Sequence, residues 1–500
     1  MNSILSFILI ACGCVACTGS SQPGSGLPPN IVLLYLDDLG YGDVGAYGAT
    51  AIPTPHMDRL AREGLRFTSG YAAAATCTPS RYALLTGTYP WRKREARILP
   101  GSAPLLIDTA TTTLPRALRA AGYRTGVVGK WHLGLGDGTI NWNHRVTPGP
   151  NQVGFDYSFI MAATQDRTPT VYLENGYVVG LDPADPLSVS YRTNFPGEPT
   201  GRDHPELLKM GLTHGHDQSI VNGISRIGYQ QGGRAAYWGD ENMADTFLLK
   251  AKHFIAQRDH RPFFLYYALQ QPHVPRTPHP RFAGATDLGP RGDVIVEADW
   301  MIGQFLGTLA QEGLLDNTLI LLSSDNGPVL NDGYLDDSVK RNGDHTPAGP
   351  LRGGKYSRFE AGTRVPFITF WPGRIAPGTS DALISQVDLL SSLATLAGST
   401  ERGPDSRNLL PELLGESYGG RQSLVLSAFG KTAYRAGDWS LIPPSDGRAF
   451  MNWVGIETGN APEWQLYDLA TDPGQRHNLA NERPEKLAEL RAAYQAAVRE

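Results

Sequence analysis

Two apolar runs, far apart in the chain, constrain its fold most. Residues 30–36 read Asn-Ile-Val-Leu-Leu-Tyr-Leu, and residues 318–324 read Thr-Leu-Ile-Leu-Leu-Ser-Ser. Neither shows the strict apolar/polar alternation of a strand with one wet face. A continuous run suits a central strand of a parallel sheet that helices cover on both sides. Each run ends on acids or amides: Asp37-Asp38 after the first, Asp325-Asn326 after the second. Open α/β sheets keep their sites beyond the carboxyl ends of their strands, so pairing these two strands would gather three carboxylates and an amide at one place.

The remaining pattern supports this class. Helices are predicted over 54–64, 113–122, 242–257, 293–313 and 385–397, alternating with strands at 123–129, 262–268 and 363–371. Between about 140 and 240 the pattern weakens into a Gly/Pro/Asn/Asp-rich tract, read as an irregular insertion. From about 420 short strands dominate (423–428, 432–434, 438–442, 465–469) before a closing helix over 482–498. The expected architecture is α/β: a large, mixed, mostly parallel sheet between helices over residues 30–400. A smaller antiparallel α+β subdomain follows over 401–500.

Composition narrows the function. A net charge of −5 lacks the basic excess of a nucleic-acid binder. Of four cysteines, Cys12, Cys14 and Cys17 crowd the N-terminus and Cys77 stands alone in the body, which rules out an internal disulfide there. Residues 77–87 read Cys-Thr-Pro-Ser-Arg-Tyr-Ala-Leu-Leu-Thr-Gly. Pro79 suits a first helical turn. Cys77 then opens a helix whose free N–H groups favour an anion and lower a thiol pKa, and Arg81 lies one turn on. Read without context, this is also compatible with a structural cysteine opening a core helix.

The hard oxygens of Asp37, Asp38, Asp325 and Asn326 suit calcium or magnesium, although each acid pair taken singly reads as a turn or cap. Four further basic residues lie in Gly- or Pro-rich loops at strand ends. They are Lys130 and His132 in Gly-Lys-Trp-His-Leu-Gly, His273 in Gln-Pro-His-Val-Pro, and Lys355 in Arg-Gly-Gly-Lys-Tyr. Individually they read as surface charges or satisfied histidines.

The run 77–87 resembles, position for position, the Cys-x-Pro-Ser-Arg-x-x-x-Leu-Thr-Gly signature of the formylglycine-dependent sulfatases, within the alkaline phosphatase superfamily. Asp-Asp-Leu-Gly-Tyr-Gly-Asp at 37–43, Pro-His-Met-Asp-Arg-Leu-Ala at 55–61, Glu-Ala-Gly-Thr-Arg-Val-Pro at 360–366 and Leu-Tyr-Asp-Leu-Ala-Thr-Asp-Pro at 466–473 are similar to further landmarks in family order. The resemblance implies that Cys77 is oxidised to formylglycine by a formylglycine-generating or anaerobic sulfatase-maturating enzyme, with Arg81 holding it. It implies one calcium ion, with magnesium as the alternative, on Asp37, Asp38, residue 77, Asp325 and Asn326. Lys130, His132, His273 and Lys355 would bind sulfate and move protons.

The chain is similar to bacterial polysaccharide sulfatases and to the N-acetylgalactosamine-6-sulfatase and arylsulfatase A group. The expected partner is a sulfated oligosaccharide or polysaccharide, with a galactose-type 6-O-sulfate as the substrate reading. Asp166, Arg167, His214 and His216 are candidates for reading sugar hydroxyls, or ordinary loop polars. Two alternatives remain at this stage: a formylglycine-dependent phosphonate or phosphodiester hydrolase, and a non-catalytic glycan-binding surface protein.

The apolar run 4–11 is too short to span a bilayer and fits an export signal. With the Ser/Gly/Pro linker 18–29 it is similar to a bacterial lipoprotein signal over 1–17. Cys17 is then the expected lipidated residue, Cys14 or Cys12 the alternatives, and a plain cleaved signal peptide the simpler reading. The expected location is the periplasm, or the outer membrane through a lipid anchor only.

Overall fold

The computed structural model describes residues 28–499. The expected export signal and Cys12, Cys14 and Cys17 therefore lie outside the described residues. The two apolar runs form strands β1 (Asn30–Leu36) and, seventh further along, β8 (Thr318–Ser324), paired in parallel with Leu36 opposite Ser324. Between them in the chain come β2 (Leu65–Phe67), β3 (Arg124–Lys130), β4 (Tyr157–Met161), β5 (Tyr172–Glu174), β6 (Tyr177–Val178) and β7 (Phe263–Ala268). After β8 follow β9 (Phe367–Phe370) and β10 (Gly378–Ser380). The ten strands make one sheet in the order β10-β2-β9-β8-β1-β7-β3-β4-β5-β6. Its centre, β8-β1-β7-β3-β4, is parallel, and antiparallel pairs appear toward both edges.

Side chains of β1 alternate between two cores. Ile31, Leu33 and Tyr35 face helices α2 (Cys77–Thr86) and α3 (Leu114–Ala120), with a further helix over Leu389–Leu396. Val32, Leu34 and Leu36 face the helices α1 (Pro55–Glu63), Met243–Ala256 and Pro290–Gln311. Both faces are covered, which is why the run has no polar alternation. Each such fully buried side chain stabilises the fold by roughly 1.5–3 kcal/mol.

Three expectations are corrected. The weakly patterned tract 140–240 contains β4, a buried strand that extends the parallel sheet beside β3. The strand expected over 363–371 is only Phe367–Phe370, because Pro366 has no N–H to give a ladder. The helix expected from 385 begins at Leu389, after a turn over Gln386–Asp388 that Ser385 caps.

The C-terminal part is an antiparallel sheet, β11 (Ser423–Ala428), β12 (Lys431–Ala436), β13 (Trp439–Ile442) and β14 (Gln465–Asp468), as expected. The helix Pro484–Ala497 closes it through Leu490. This sheet is pinned to the main unit beside the cysteine helix: Ala75 N–H donates to Ser427 O (2.8 Å) and Ser427 N–H to Ala73 O (3.1 Å). Among the described residues no helix is long and apolar enough to cross a membrane.

Candidate active site

The register of the central strands assembles the site. β8, β1, β7 and β3 run the same way, so their carboxyl ends present Asp325-Asn326, Asp37-Asp38, His273 and Lys130 to one space. Gly129 makes the last turn of β3 feasible: its φ is +113°, and a Cβ there would sit 1.9 Å from Ala268 O. Helix α2 points its first residue into the same space. Ligand atoms of Asp37, Asp38, Cys77 and His273 all lie within 4.8 Å of one another, every one of these residues buried.

The carboxylates are held at fixed angles. Arg81 Nε and Nη2 donate to Asp325 Oδ2 at 3.0 and 2.8 Å, and Nη1 donates to the Tyr266 hydroxyl at 3.1 Å. Lys130 Nζ lies 2.5 Å from Asp37 Oδ2 and 3.9 Å from Asp325 Oδ2. Asn326 Nδ2 donates to Asp38 Oδ1 (2.7 Å), and Lys355 Nζ donates to Asp38 Oδ2 (2.9 Å) and to Asp332 Oδ2 (2.8 Å). Asp38, His132 and Tyr356 have φ of 66°, 56° and 75°. Left-handed backbone at non-glycine residues is strained, and such strain gathers at functional sites.

Two buried oxygens in this cluster, Asp37 Oδ1 and Asn326 Oδ1, have no hydrogen-bond partner among the described residues. Burial, then the neighbouring Asp325, pushes the Asp37 carboxyl well above its usual range. Crowded carboxylates with orphaned oxygens are what a hard divalent cation relieves. The donor set of Asp37, Asp38, Asp325 and Asn326 fits such an ion.

The sulfatase family's sequence profile matches residues 29–399. The chain belongs to the sulfatase family. A Bacteroides thetaiotaomicron N-acetylgalactosamine-6-O-sulfatase is 48% identical over 492 residues, covering 97% of this chain and 96% of its own length. Human arylsulfatase A is 34% identical, covering 93% of this chain and 86% of the relative. A solved B. thetaiotaomicron structure, from work on the metabolism of multiple glycosaminoglycans, superposes with a TM-score of 0.93 at 48% identity, covering 94% of this chain and 99% of that one. This sulfatase is accordingly a sulfuric ester hydrolase, and its sheet-and-helix architecture is the alkaline-phosphatase-like fold that the resemblance implied.

Two histidines of the site, His132 and His273, have defined tautomers. His132 Nε2 sits 2.9 Å from Leu99 O and His273 Nδ1 sits 2.7 Å from Val274 O. A carbonyl can only accept, so those nitrogens carry the protons. His132 Nδ1 is buried with no partner among the described residues, and His273 Nε2 lies 3.9 Å from Asp38 Oδ2. Burial, then Lys130, holds His132 well below the ordinary imidazole value; burial, then Lys355, does the same to His273. Lys355 is the opposite case: burial works against its charge, but Asp332 and Asp38 outweigh it and hold the ammonium well above its usual value.

One electrostatic expectation is reversed. A helix N-terminus was expected to lower the Cys77 thiol, yet burial, opposed only in part by Lys130 and Lys355, pushes it up to about 12. As a thiol this residue is a poor nucleophile. Arg81 is likewise spent on Asp325 and lies 3.8 Å from Asp37 Oδ1.

The four candidate sugar-reading residues form one chain of contacts. Arg167 Nη1 donates to Asp166 (3.0 Å), and Asp166 Oδ2 lies 2.9 Å from His216 Nε2. His216 packs on Tyr334, and His214 on Trp453 with centroids 5.0 Å apart. Burial would raise Asp166, but Arg167 and then His216 outweigh it and hold the carboxyl well below its usual range. Sequence reasoning missed Asp332, the second partner of Lys355. It sits in Asn-Asp-Gly, which by residue type reads as an ordinary turn. Tyr266, the hydroxyl under Arg81, was hidden inside an apolar strand.

Proposed function

We propose that this sulfatase removes the 6-O-sulfate of N-acetylgalactosamine, or of a closely related galactose-type sugar, within a saccharide. The carrying observation is the near full-length 48% identity to an N-acetylgalactosamine-6-O-sulfatase, together with Cys77 seated in the buried carboxylate cluster. In this reading Cys77 is converted by a maturating enzyme to formylglycine, whose hydrate supplies the attacking oxygen that the thiol cannot. Asp37, Asp38, Asp325 and Asn326 hold calcium, which when bound neutralises charge on the carboxylates and on a sulfate oxygen.

The chain's own groups have separable tasks. Lys130 and Arg81 offset the acid cluster and fix Asp37 and Asp325, so Asp325 Oδ1, which among the described residues accepts only from Asp38 N–H (3.2 Å), can take the proton of the attacking hydroxyl. Lys355 carries its proton at Nζ beside the cluster and donates toward the departing sugar oxygen. His273 presents Nε2 to the same space, and the negative charge of a bound sulfate ester favours its protonation, making it a second donor. His132, neutral and with a bare Nδ1, is the base that takes the last hydroxyl proton so that sulfate leaves. Asp166, Arg167, His214 and His216 read the sugar. Export, with lipidation at Cys17, belongs to the same reading.

Desulfation of a panel of defined sulfated saccharides tests the substrate. N-acetylgalactosamine 6-sulfate is expected to turn over with the highest kcat/KM. Preference for another ring or position overturns the assignment.

A further inference from the structure

Thr78 is the second residue of helix α2, directly after Cys77, and is fully buried. A threonine in a first helical turn ordinarily returns its hydroxyl to nearby backbone. This one turns away from its own helix: Oγ1 donates to the carbonyl of His132, 54 residues on, at 2.8 Å. No other donor to that carbonyl is found among the described residues. The same Oγ1 accepts from Leu99 N–H at 3.4 Å, and Leu99 O in turn accepts from His132 Nε2–H at 2.9 Å. The contacts close a ring of three residues, of which Thr78 is the member anchored in a buried helix.

The other two members are held less firmly by their own surroundings. His132 has a left-handed backbone, with φ of 56°, and its N–H reaches Ala162 O at 3.2 Å. A non-glycine residue keeps such a conformation only where its neighbours impose it. Leu99 belongs to a stretch, residues 91–100, of which none is buried. Hydrogen bonds within that stretch are short-range turns, such as Ala96 N–H to Lys93 O and Arg97 N–H to Glu95 O. The imidazole therefore takes its orientation from a carbonyl on an open segment. Thr78 ties that segment, and the His132 backbone, to the helix that begins at Cys77. Base and reacting residue share one frame, which matters because a displacement of about 1 Å can cost on the order of 100-fold in rate.

We propose that Thr78 is a positioning residue for sulfate release: its hydroxyl holds His132 so that the bare Nδ1 meets the last hydroxyl proton beside residue 77. Thr78 acts through His132 and not on the departing sugar oxygen, so the step that frees the sugar does not depend on it. The inference rests on the reading of His132 as the release base and adds the residue that fixes that base.

The test uses the matured enzyme, with rates expressed per converted residue 77 as counted by peptide mass spectrometry. Rapid-quench assays on N-acetylgalactosamine 6-sulfate, and in parallel on 4-nitrophenyl sulfate, separate two phases. The first turnover frees the alcohol, and the steady state also needs sulfate to leave. Thr78→Val keeps the shape and removes the hydroxyl. It should leave the first turnover within about twofold of wild type and lower the steady state about tenfold, so that a burst of alcohol precedes a slow phase. Thr78→Ser should restore most of the steady-state rate, and His132→Ala should show the same burst with a deeper loss. Thr78→Ala takes the place of the valine variant if that protein does not fold. Equal losses in both phases, no loss in either, or no recovery with Thr78→Ser overturn the positioning role. If His132→Ala slows the first turnover as much as the steady state, the reading of His132 fails and takes this inference with it. Cleavage of the aryl ester alone removes the sugar assignment and leaves Thr78 judged on that ester.

Discussion

Asp37 and Asp43 follow the same strand, are equally buried, and are opposite kinds of carboxylate. Asp43 has both oxygens occupied: Arg291 grips it in a fork (2.8 and 2.6 Å), His345 Nε2 lies 2.9 Å from Oδ1, and Gly40 N–H donates to Oδ2. Burial would raise its pKa, but Arg291 outweighs it and the carboxyl is held below its usual value. Asp37 shares its space with Asp38 and Asp325, keeps one oxygen without a partner, and is pushed upward. A satisfied buried acid reads as architecture, and an unsatisfied, crowded one as a place where something binds.

That contrast can be broken in several ways. The largest effect is expected from Cys77→Ala, which should abolish turnover while melting close to wild type, since the loss is chemical; retained activity would remove residue 77 from the reaction. Next, Asp37→Asn should lower kcat/KM roughly thousandfold. Asp43→Ala should instead lower stability by roughly 3–5 kcal/mol, because it strands the buried Arg291. Denaturant unfolding of both variants checks this, and an Asp37→Asn protein destabilised as much as Asp43→Ala would erase the distinction. Chelation should come third. Stripping divalent ions should inactivate the enzyme and lower its Tm, calcium should restore both, and Asp37→Asn should show no Tm response.

The smallest effect lies away from the site. Asp299, on the helix Pro290–Gln311, accepts from His56 and Met57 N–H at the start of the helix Pro55–Glu63, and burial pushes its pKa up to about 7. Its unfolded value is near 3.9, so the folded state binds the extra proton and stability from this group is lost as pH rises from about 4 to 7. Asp299→Asn keeps an acceptor and removes the charge. It should gain about 1–2 kcal/mol at pH 8 and nothing at pH 4; a gain independent of pH would contradict the assignment.

Much of this was legible in the chain. Apolar runs ending in acids placed Asp37, Asp38, Asp325 and Asn326 together, because parallel strands paired in register must bring their carboxyl ends together. The 77–87 run placed its cysteine at a helix mouth, as found. What stayed hidden depends on neighbours distant in sequence. The β4 run is short and sits among turn residues, so only its pairing with β3 reveals it. Asp332 looks like a turn until Lys355 reaches it, and the thiol's pKa depends on burial that no local motif encodes. Phe429 and Trp453 are isolated aromatics in sequence and meet Tyr356 only when the C-terminal sheet docks beside Ala75.

Metal content measured on purified wild type, Asp37→Asn and Asp43→Asn tests the central claim most directly. The account predicts one divalent ion per chain in wild type and Asp43→Asn, and none in Asp37→Asn. An active wild type free of metal, or equal metal in both variants, would contradict it.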